Sequence, residues 1–219
     1  MNEKTNFDEF IWSLQEFFND NLQKKPIIPI SLKEASKNSA DKENIVCFYN
    51  GRELDVIDMD GIAKNQYKSI RIYDEYENTT DDIVNTTDGF IIDNANTWYF
   101  IEFKDSKING SSTKNNVIKK AYGNWYMLLD ILYNSTDDKK YVKFDYSNPV
   151  KFAKKNVVYI LVCSSSKNPN VVTQVRNYKY KKKKYTPEYM QKMKEYLFKD
   201  AYVYTEIEFE REFVKKFQY

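Results

Sequence analysis

Three ionisable side chains at the ends of two neighbouring apolar segments could form a catalytic site. Glu102 and Lys104 are two residues apart in the segment Trp98–Lys104, so in a β-strand both point to the same face of the sheet. Asp88 directly precedes the other apolar segment, residues 89–93. Two carboxylates and an ammonium group on one face can hold a divalent cation and promote hydrolysis of a phosphate ester.

The pairing of the two segments decides whether these side chains meet. Residues 94–97 between them predict a β-hairpin, because asparagine readily adopts the left-handed conformation of tight turns. If Asp93 pairs with Thr97 across a three-residue loop, Asp88 lies directly opposite Glu102 and on the same face. A two- or four-residue loop would place Asp88 on the other face, unless a bulge restores the alternation. The predicted site therefore depends on one hairpin register.

The residue types also limit the chemistry. The chain has no histidine, which excludes a Ser-His-Asp triad and a zinc site built from imidazole. Two opposed carboxylates repel each other, and burial raises their pKa values unless a cation neutralises them. Mg²⁺ typically takes one or two carboxylates together with water and phosphate oxygens, and Mn²⁺ can replace it. Lys104 beside such an ion could orient a water molecule or stabilise charge on phosphorus.

The string Asp88-(13 residues)-Glu102-Phe103-Lys104 lies on a hairpin between an N-terminal helix and a following helix and strand. In these features the chain resembles the PD-(D/E)XK nuclease superfamily, over about residues 70–165. The resemblance implies that Asp88, Glu102 and the backbone carbonyl of Phe103 bind Mg²⁺, and that Lys104 helps to activate the attacking water.

The same resemblance implies further groups around the site. An acidic residue on the first helix often completes it, and Glu16 and Glu9 are both candidates. Lys120 lies where some members carry glutamine or lysine near the phosphate. Residue 87 is threonine, where the motif has proline. The implied fold is α/β, a mixed central β-sheet flanked by helices with a restriction-endonuclease-like αβββαβ core, and many relatives act as dimers.

Charge is unevenly distributed along the chain. Residues 1–104 contain 20 acidic and 11 basic residues, and residues 105–219 contain 12 acidic and 23 basic residues. This asymmetry suggests a polyanionic partner, although a solvated lysine-rich surface would give the same distribution. Residues 176–185 interleave six cations with three tyrosines, which suits contact with phosphates and bases. The predicted nucleic-acid-binding cations are Arg176, Lys179, Lys181, Lys182, Lys183 and Lys184.

Hydrophobic periodicity predicts the surrounding elements. Helices are expected over about residues 6–22, 54–65, 117–133, 187–199 and 208–217, and further strands over 70–76, 157–163 and 201–207. We expect a single domain over residues 1–219, with a core at 70–165, a basic loop at 164–186 and a C-terminal helix-strand-helix unit at 187–219. The longest apolar run, Val157–Cys163, is too short to span a bilayer, and the first 30 residues lack a signal-peptide pattern. A cytoplasmic location with Cys47 and Cys163 as free thiols is therefore expected.

The predicted function is Mg²⁺-dependent hydrolysis of phosphodiester bonds in nucleic acid, with DNA favoured. One alternative is a catalytically silent member of the same fold that binds nucleic acid or protein. Another is a metal-independent protein in which the motif arises by chance, on an exposed edge hairpin with Glu102 and Lys104 facing solvent. Convergence of the carboxylates would distinguish the nuclease from a protein with a chance motif. Metal binding would distinguish the nuclease from the catalytically silent member of the fold.

Overall fold

A computed structural model describes residues 4–21, 26–37, 47–71 and 84–217. The helices are α1 (Asn6–Asn21), α2 (Leu32–Ala35), α3 (Met59–Ile62), α4 (Lys68–Arg71), α5 (Ser111–Asn134), α6 (Pro149–Asn156), α7 (Pro169–Tyr180), α8 (Glu188–Lys192) and α9 (Glu206–Glu212). The strands are β1 (Ile30–Ser31), β2 (Asp55–Val56), β3 (Gly89–Ile92), β4 (Trp98–Lys104), β5 (Val157–Cys163) and β6 (Asp200–Thr205). π-helical segments Ala63–Tyr67 and Met193–Leu197 continue α3 and α8, and short 3₁₀ turns lie at Asp137–Lys139 and Val214–Phe217.

Four strands form a mixed sheet in the order β3-β4-β5-β6. β3 runs antiparallel to β4, whereas β4, β5 and β6 are parallel to one another. Every residue of β5 is apolar and buried, which is typical of a parallel strand covered on both faces. The chain between β4 and β5 passes through α5 and α6. The prediction of an α/β protein with a mixed sheet flanked by helices is confirmed.

Helices cover both faces of this sheet, and alternate residues of β4 divide between two cores. Trp98 and Phe100 belong to the core that α1 and α5 cover. Tyr99 and Phe103 belong to the core that α9 and the C-terminal turn cover. By the same alternation, Glu102 lies on the α5 side of the sheet.

A two-stranded sheet of β1 and β2 is connected to the edge of the large sheet. Ile57 and Phe90 form an antiparallel bridge, with N–O distances of 2.9 and 3.0 Å between their backbone groups. The segment next to β3, on the side away from β4, is therefore β2 with its extension to Ile57. Residues 55–57 were expected to be part of a helix, and this expectation is wrong.

The strand expected over residues 70–76 is also wrong where the structure describes it. Ala63, Tyr67 and Ile70 follow helical spacing and pack on the same core, so residues 59–71 are helical. The short alternation after Ile70 could not outweigh this packing. Residues 72–76 lie outside the described residues.

The segment predicted as a basic loop, residues 164–186, contains the helix α7. Pro169 opens the helix at a position that needs no backbone donor, and Val171 and Val175 bury one side of it. Arg176 and Lys179 lie on this helix, and residues 181–184 lie after it. The lysine content obscured a short but sufficient apolar stripe.

The other predicted elements agree with the structure more closely. α1 and β5 occupy the predicted positions, and the helix-strand-helix order of the C-terminal part is confirmed. α5 begins six residues earlier than predicted, and α6 was not predicted. Cys47 and Cys163 are both free. Among the described helices, none has the length and apolar character needed to cross a membrane.

Candidate active site

The hairpin of β3 and β4 has the register on which the predicted site depends. Gly89 lies opposite Ile101, and the pairing continues without a bulge to the end of β3. Asp88, the residue before Gly89, is therefore level with Glu102 and shares its face. The register prediction is confirmed.

Local hydrogen bonds in the turn establish this register. The backbone N of Asp93 lies 3.0 Å from the carbonyl oxygen of Thr97, which closes a three-residue loop. The Asp93 carboxylate accepts from the backbone N–H groups of Ala95 and Thr97, at 3.0 and 2.8 Å. Asn96 adopts a φ of 57°, the left-handed conformation expected of asparagine in a tight turn.

Lys120, from α5, connects the two carboxylates. Its Nζ lies 3.0 Å from Asp88 Oδ1 and 3.0 Å from Glu102 Oε2. Glu102 is fully buried, and the Lys120 side chain is 14% exposed. An oxygen from the residue before β3 and one from β4 therefore converge on the Lys120 ammonium, which is shielded from solvent.

The second oxygen of each carboxylate has its own partner. Lys104 Nζ lies 2.6 Å from Glu102 Oε1, and the backbone N–H of Phe103 donates to Asp88 Oδ2 at 2.7 Å. The N–H and C=O of a strand residue point to the same edge of the strand, so the Phe103 carbonyl also faces the Asp88 side. The structure thus brings together every group of the predicted Asp-Glu-X-Lys motif.

The electrostatics of the cluster reflect its burial. Burial, and secondarily the neighbouring Asp88 carboxylate, raise the pKa of Glu102 to about 7, although the Lys120 and Lys104 ammonium groups act in the opposite direction. Burial also acts to lower the pKa of Lys120, but attraction to the two carboxylates outweighs it and raises this pKa above its usual range. Lys120 therefore stays charged and balances the carboxylates.

The donor set fits a Mg²⁺ ion. The carboxylate oxygens of Asp88 and Glu102 already converge on one position. Mg²⁺ commonly takes one or two carboxylates, so this pair is a suitable number. No cluster of three or more His, Cys, Asp or Glu side chains suited to a metal occurs among the described residues. The remaining ligands would thus be the Phe103 carbonyl, water and substrate oxygens.

A cavity of about 260 Å³ opens onto the cluster. Asp88, Lys104 and Lys120 contribute to its wall, together with Lys37 and Phe48 from the segment before β2. The volume is several times the ~30 Å³ that one water molecule occupies in the liquid. It offers room for a phosphate group beside the carboxylates.

Close packing of α5 positions Lys120. A Cβ atom at Gly123 would lie 2.2 Å from the backbone oxygen of Asn85, so only glycine allows the helix to approach the segment before Asp88 this closely. One residue further on, Asn124 Oδ1 accepts from the backbone N of Thr87 at 3.4 Å. The signal in the sequence was a glycine within a helical pattern.

Gly123→Ala should destabilise the protein by about 1–3 kcal/mol, because the added methyl group meets backbone rather than a movable side chain. Glycine to alanine in an unhindered helix would instead stabilise by up to ~1 kcal/mol. Urea denaturation measures the difference. Gly110→Ala is the comparison without a clash: the nearest atom there is 3.6 Å away, so this variant should cost no more than the lower preference of alanine for the N-cap of α5. A stabilised Gly123→Ala variant would contradict the close approach.

The acids proposed on the first helix do not join the cluster. Glu16 Oε2 lies 3.9 Å from Lys139 Nζ, and Glu9 Oε2 lies 2.7 Å from Lys143 Nζ. Both lysines follow the C-terminal end of α5, whereas Lys120 lies about 20 Å before that end along the helix axis. The assignment of Glu16 or Glu9 as an additional ligand is wrong, because each pairs with a lysine at the other end of α5.

Asp58 is an acid near the cluster that the sequence did not identify as important. Its Oδ1 accepts from the backbone N of Gly61 at 2.7 Å and caps α3. Burial chiefly raises the pKa of Asp58, with the Asp60 and Asp88 carboxylates adding to the effect. The bridge between Ile57 and Phe90 places Asp58 close enough to Asp88 for the two carboxylates to interact electrostatically.

The six predicted nucleic-acid-binding cations fall into two groups. Lys179 forms an ion pair with Glu212, and Lys184 lies 4.4 Å from the ring centroid of Tyr204 and donates to its hydroxyl. The others are exposed and form no ion pair with any described residue: Arg176, Lys181, Lys182 and Lys183. Of the six, only Lys179 has a carboxylate partner among the described residues, and that partner is distant in sequence.

Glu102 and Lys104 do not lie on an exposed edge strand. β4 is paired on both sides, by β3 and β5, and Glu102 is fully buried. The alternative of a solvent-facing Glu and Lys on an edge strand is therefore wrong.

Comparison of the chain with protein-family models, curated proteins and solved structures gave no match. The class of site must therefore be inferred from its own geometry. That geometry is a pair of carboxylates and a pair of lysines at the C-terminal end of a central strand, next to an open cavity.

Proposed function

We propose that this protein is a Mg²⁺-dependent nuclease that hydrolyses phosphodiester bonds of nucleic acid, with DNA as the substrate. The observation that carries the proposal is the convergence of two carboxylate oxygens. Asp88 Oδ1 and Glu102 Oε2 each lie 3.0 Å from the ammonium nitrogen of Lys120. If β1 and the short helices between these elements are left out, the order α1, β2, β3, β4, α5, β5 supports a restriction-endonuclease-like αβββαβ core, with β2 as its first strand. A dimer, as many superfamily members form, stays a prediction.

Each group of the cluster has a distinct proposed role. Asp88, Glu102 and the Phe103 carbonyl would hold Mg²⁺, and Mn²⁺ suits the same oxygen donors. The bound ion supplies polarisation of the phosphoryl group and a lowered pKa of coordinated water. Lys104, which lines the cavity 2.6 Å from Glu102, orients the attacking water and stabilises negative charge on the phosphate. Lys120 contacts a phosphate oxygen of the substrate.

A cleavage assay tests the proposal. Plasmid DNA and single-stranded DNA and RNA oligonucleotides are incubated with the protein in Mg²⁺, Mn²⁺ or EDTA. We expect cleavage of DNA with either metal and none in EDTA. A lack of cleavage of every substrate in both metals would contradict the proposed function.

One observation favours a second candidate, a catalytically silent module of the same fold. Lys120 already balances Asp88 and Glu102 within the protein, so the buried charges do not require a metal. Isothermal titration with Mn²⁺ separates the two functions. The nuclease should bind the ion at Asp88 and Glu102 and lose binding in Asp88→Asn, whereas the silent module should show no such site.

The exposed cations at the end of α7 and directly after it are proposed to contact the phosphate backbone of the nucleic acid. Tyr185 lies beside β6, because its carbonyl oxygen accepts from the backbone N–H of Val203. The segment at Tyr185 is therefore about three strand spacings, or ~15 Å, from β4. Nucleic acid bound at Glu102 can therefore extend across the end of the sheet to Lys181, Lys182 and Lys183.

Replacing Lys181, Lys182 and Lys183 with glutamine should weaken binding and leave the rate at saturating substrate nearly unchanged. For each phosphate that is no longer neutralised, the plot of log affinity against log salt should flatten by roughly 0.9 on duplex DNA, so the slope changes by at most about 2.7. The control is Lys179→Gln, whose ammonium is already paired with Glu212 and should change the slope less. An unchanged slope in the triple variant would show a solvated surface.

A further inference from the structure

A second cavity, of about 540 Å³, lies between the N-terminal half of α5 and the beginning of α8. We name it the α5–α8 cavity. Its wall combines two aromatic rings with two cations, a carboxylate and an amide: Tyr185, Tyr189, Lys114, Lys192, Glu188 and Asn109. It shares none of its lining residues with the cavity at Asp88 and Glu102.

Tyr189 has features of a ligand-binding side chain. Lys114 Nζ lies 5.8 Å from the centroid of its ring, within the range of a cation–π contact. Its hydroxyl is buried and makes no hydrogen bond with any described residue. That oxygen has almost no accessible surface, so the cavity offers a ligand the ring of Tyr189 and not its hydroxyl.

The part of the wall at Tyr185 is fixed by contacts with the rest of the fold. The Tyr185 carbonyl accepts from Val203 N–H on the edge of β6 at 2.9 Å, and its ring lies 5.4 Å from that of Tyr178. The hydroxyl of Thr186, the next residue, donates to the Ala201 carbonyl at 2.6 Å. The cavity is therefore largely formed before a ligand binds, which limits the entropy lost on binding.

These groups together match the chemistry of a nucleotide. Tyrosine rings stack on bases whatever the sequence, and lysines contact phosphates. Glu188 can accept a hydrogen bond from an exocyclic amino group of a base. Phosphate alone would make no use of the rings, and an apolar ligand would make no use of Lys114 and Lys192.

The cavity is also close to the candidate active site. Lys114 precedes Lys120 by six residues on the same helix, which is about 9 Å along its axis and about 120° around it. A strand of nucleic acid whose phosphate is held beside Lys120 can thus place a neighbouring nucleotide at Lys114.

We propose that the α5–α8 cavity binds an unpaired nucleotide of the substrate next to the bond that is cleaved. The inference rests on the proposed nuclease function and specifies its substrate class. A base within a duplex cannot enter such a cavity without leaving the stack. The substrate is therefore single-stranded nucleic acid, or a duplex with an unpaired nucleotide beside the cleaved bond.

Binding in EDTA tests this inference independently of cleavage. Fluorescence anisotropy is measured with labelled single-stranded DNA, single-stranded RNA and blunt duplex DNA. Tyr189→Ala should weaken binding of the preferred single strand about 5- to 100-fold and leave duplex binding unchanged. Tyr189→Phe, which retains the ring, should weaken it less. The matched control is Tyr126→Ala on α5, since Tyr126 is 62% exposed and lines neither cavity.

A second variant covers the case in which Tyr189→Ala does not fold, as judged by its thermal unfolding. Lys114→Gln combined with Lys192→Gln should flatten the salt dependence for single strands by about 1.4, at roughly 0.7 for each phosphate that is no longer neutralised. Unchanged single-strand binding in either folded variant, or a wild type that prefers blunt duplex, would overturn the inference. Wild type that binds single strands through Tyr189 but cleaves nothing in Mg²⁺ would support the nucleotide site and contradict the nuclease function.

Discussion

Glu102→Gln should lower the rate of Mg²⁺-dependent cleavage by about 100- to 1000-fold while the protein stays folded. Glutamine has the shape of glutamate but lacks the charge that holds a divalent ion. Cleavage of single-stranded DNA and of plasmid DNA at saturating Mg²⁺ measures the rate. The matched control is Glu16→Gln, because Glu16 pairs with Lys139 away from the site and its replacement should leave cleavage unchanged. Cleavage at the wild-type rate in Glu102→Gln would place the active site elsewhere.

The same variant should be more stable than the wild type in EDTA above neutral pH. Burial raises the pKa of Glu102 from 4.5 to about 7, so its ionisation is less favourable in the folded protein than in the unfolded chain. The contribution of Glu102 to stability therefore falls as the pH rises from about 4.5 through 7. Glutamine does not ionise and avoids this loss. Thermal melts at several pH values should show the difference growing between about pH 5 and pH 8, and a constant or reversed difference would contradict it.

Lys120→Gln should destabilise the metal-free protein by about 3–5 kcal/mol, the usual cost of removing one partner from a buried ion pair. Lys120 is 14% exposed and contacts both Asp88 and Glu102, so its loss leaves two carboxylates without this counter-charge. Saturating Mn²⁺ should restore most of the stability, because the ion can take the place of the ammonium group. Urea denaturation in EDTA and in Mn²⁺ measures both effects.

The effect of Mn²⁺ on the stability lost in Lys120→Gln distinguishes the nuclease from the catalytically silent module. Lys119→Gln is the control, since Lys119 is exposed on the same helix and should change stability little in either condition. Mn²⁺ should also bind more tightly to Lys120→Gln than to wild type in a titration, because the competing cation is gone. Equal destabilisation of Lys120→Gln with and without Mn²⁺ would favour the catalytically silent module.

The hairpin and its register could be predicted because they depend on local interactions. Alternation of apolar residues identified both strands, and the turn residues Asp93 and Asn96 form the hydrogen bonds and the left-handed conformation that a three-residue loop needs. β5 was equally clear, since a continuous apolar run is typical of a doubly covered strand. These features required no knowledge of distant residues.

Elements with weak or mixed local signals were predicted poorly. Residues 59–71 are helical because Ala63, Tyr67 and Ile70 pack on the core, a preference that tertiary contacts impose. α7 was obscured by the run of lysines that follows it, although Val171 and Val175 are buried on its inner side. In both cases burial of a few side chains decided the conformation.

The partners of charged side chains depended on residues that are distant in sequence. Glu9 and Glu16 were plausible ligands by analogy, but lysines after α5 pair with them. Lys179 was predicted to contact nucleic acid, and its carboxylate partner Glu212, at the end of α9, is 33 residues away in the sequence. No local pattern reports such pairs.

The amino-acid sequence by itself determined which groups the candidate site contains and which face of the hairpin carries them. Asp88, Glu102 and Lys104 share that face because strand alternation and turn geometry act over a few residues. Only the tertiary structure decided that Lys120 lies between the carboxylates, that Glu102 is fully buried and that a cavity opens beside them. These outcomes depend on how closely α5 packs against the segment before Asp88, and Gly123 permits that contact with a part of the chain that is distant in sequence.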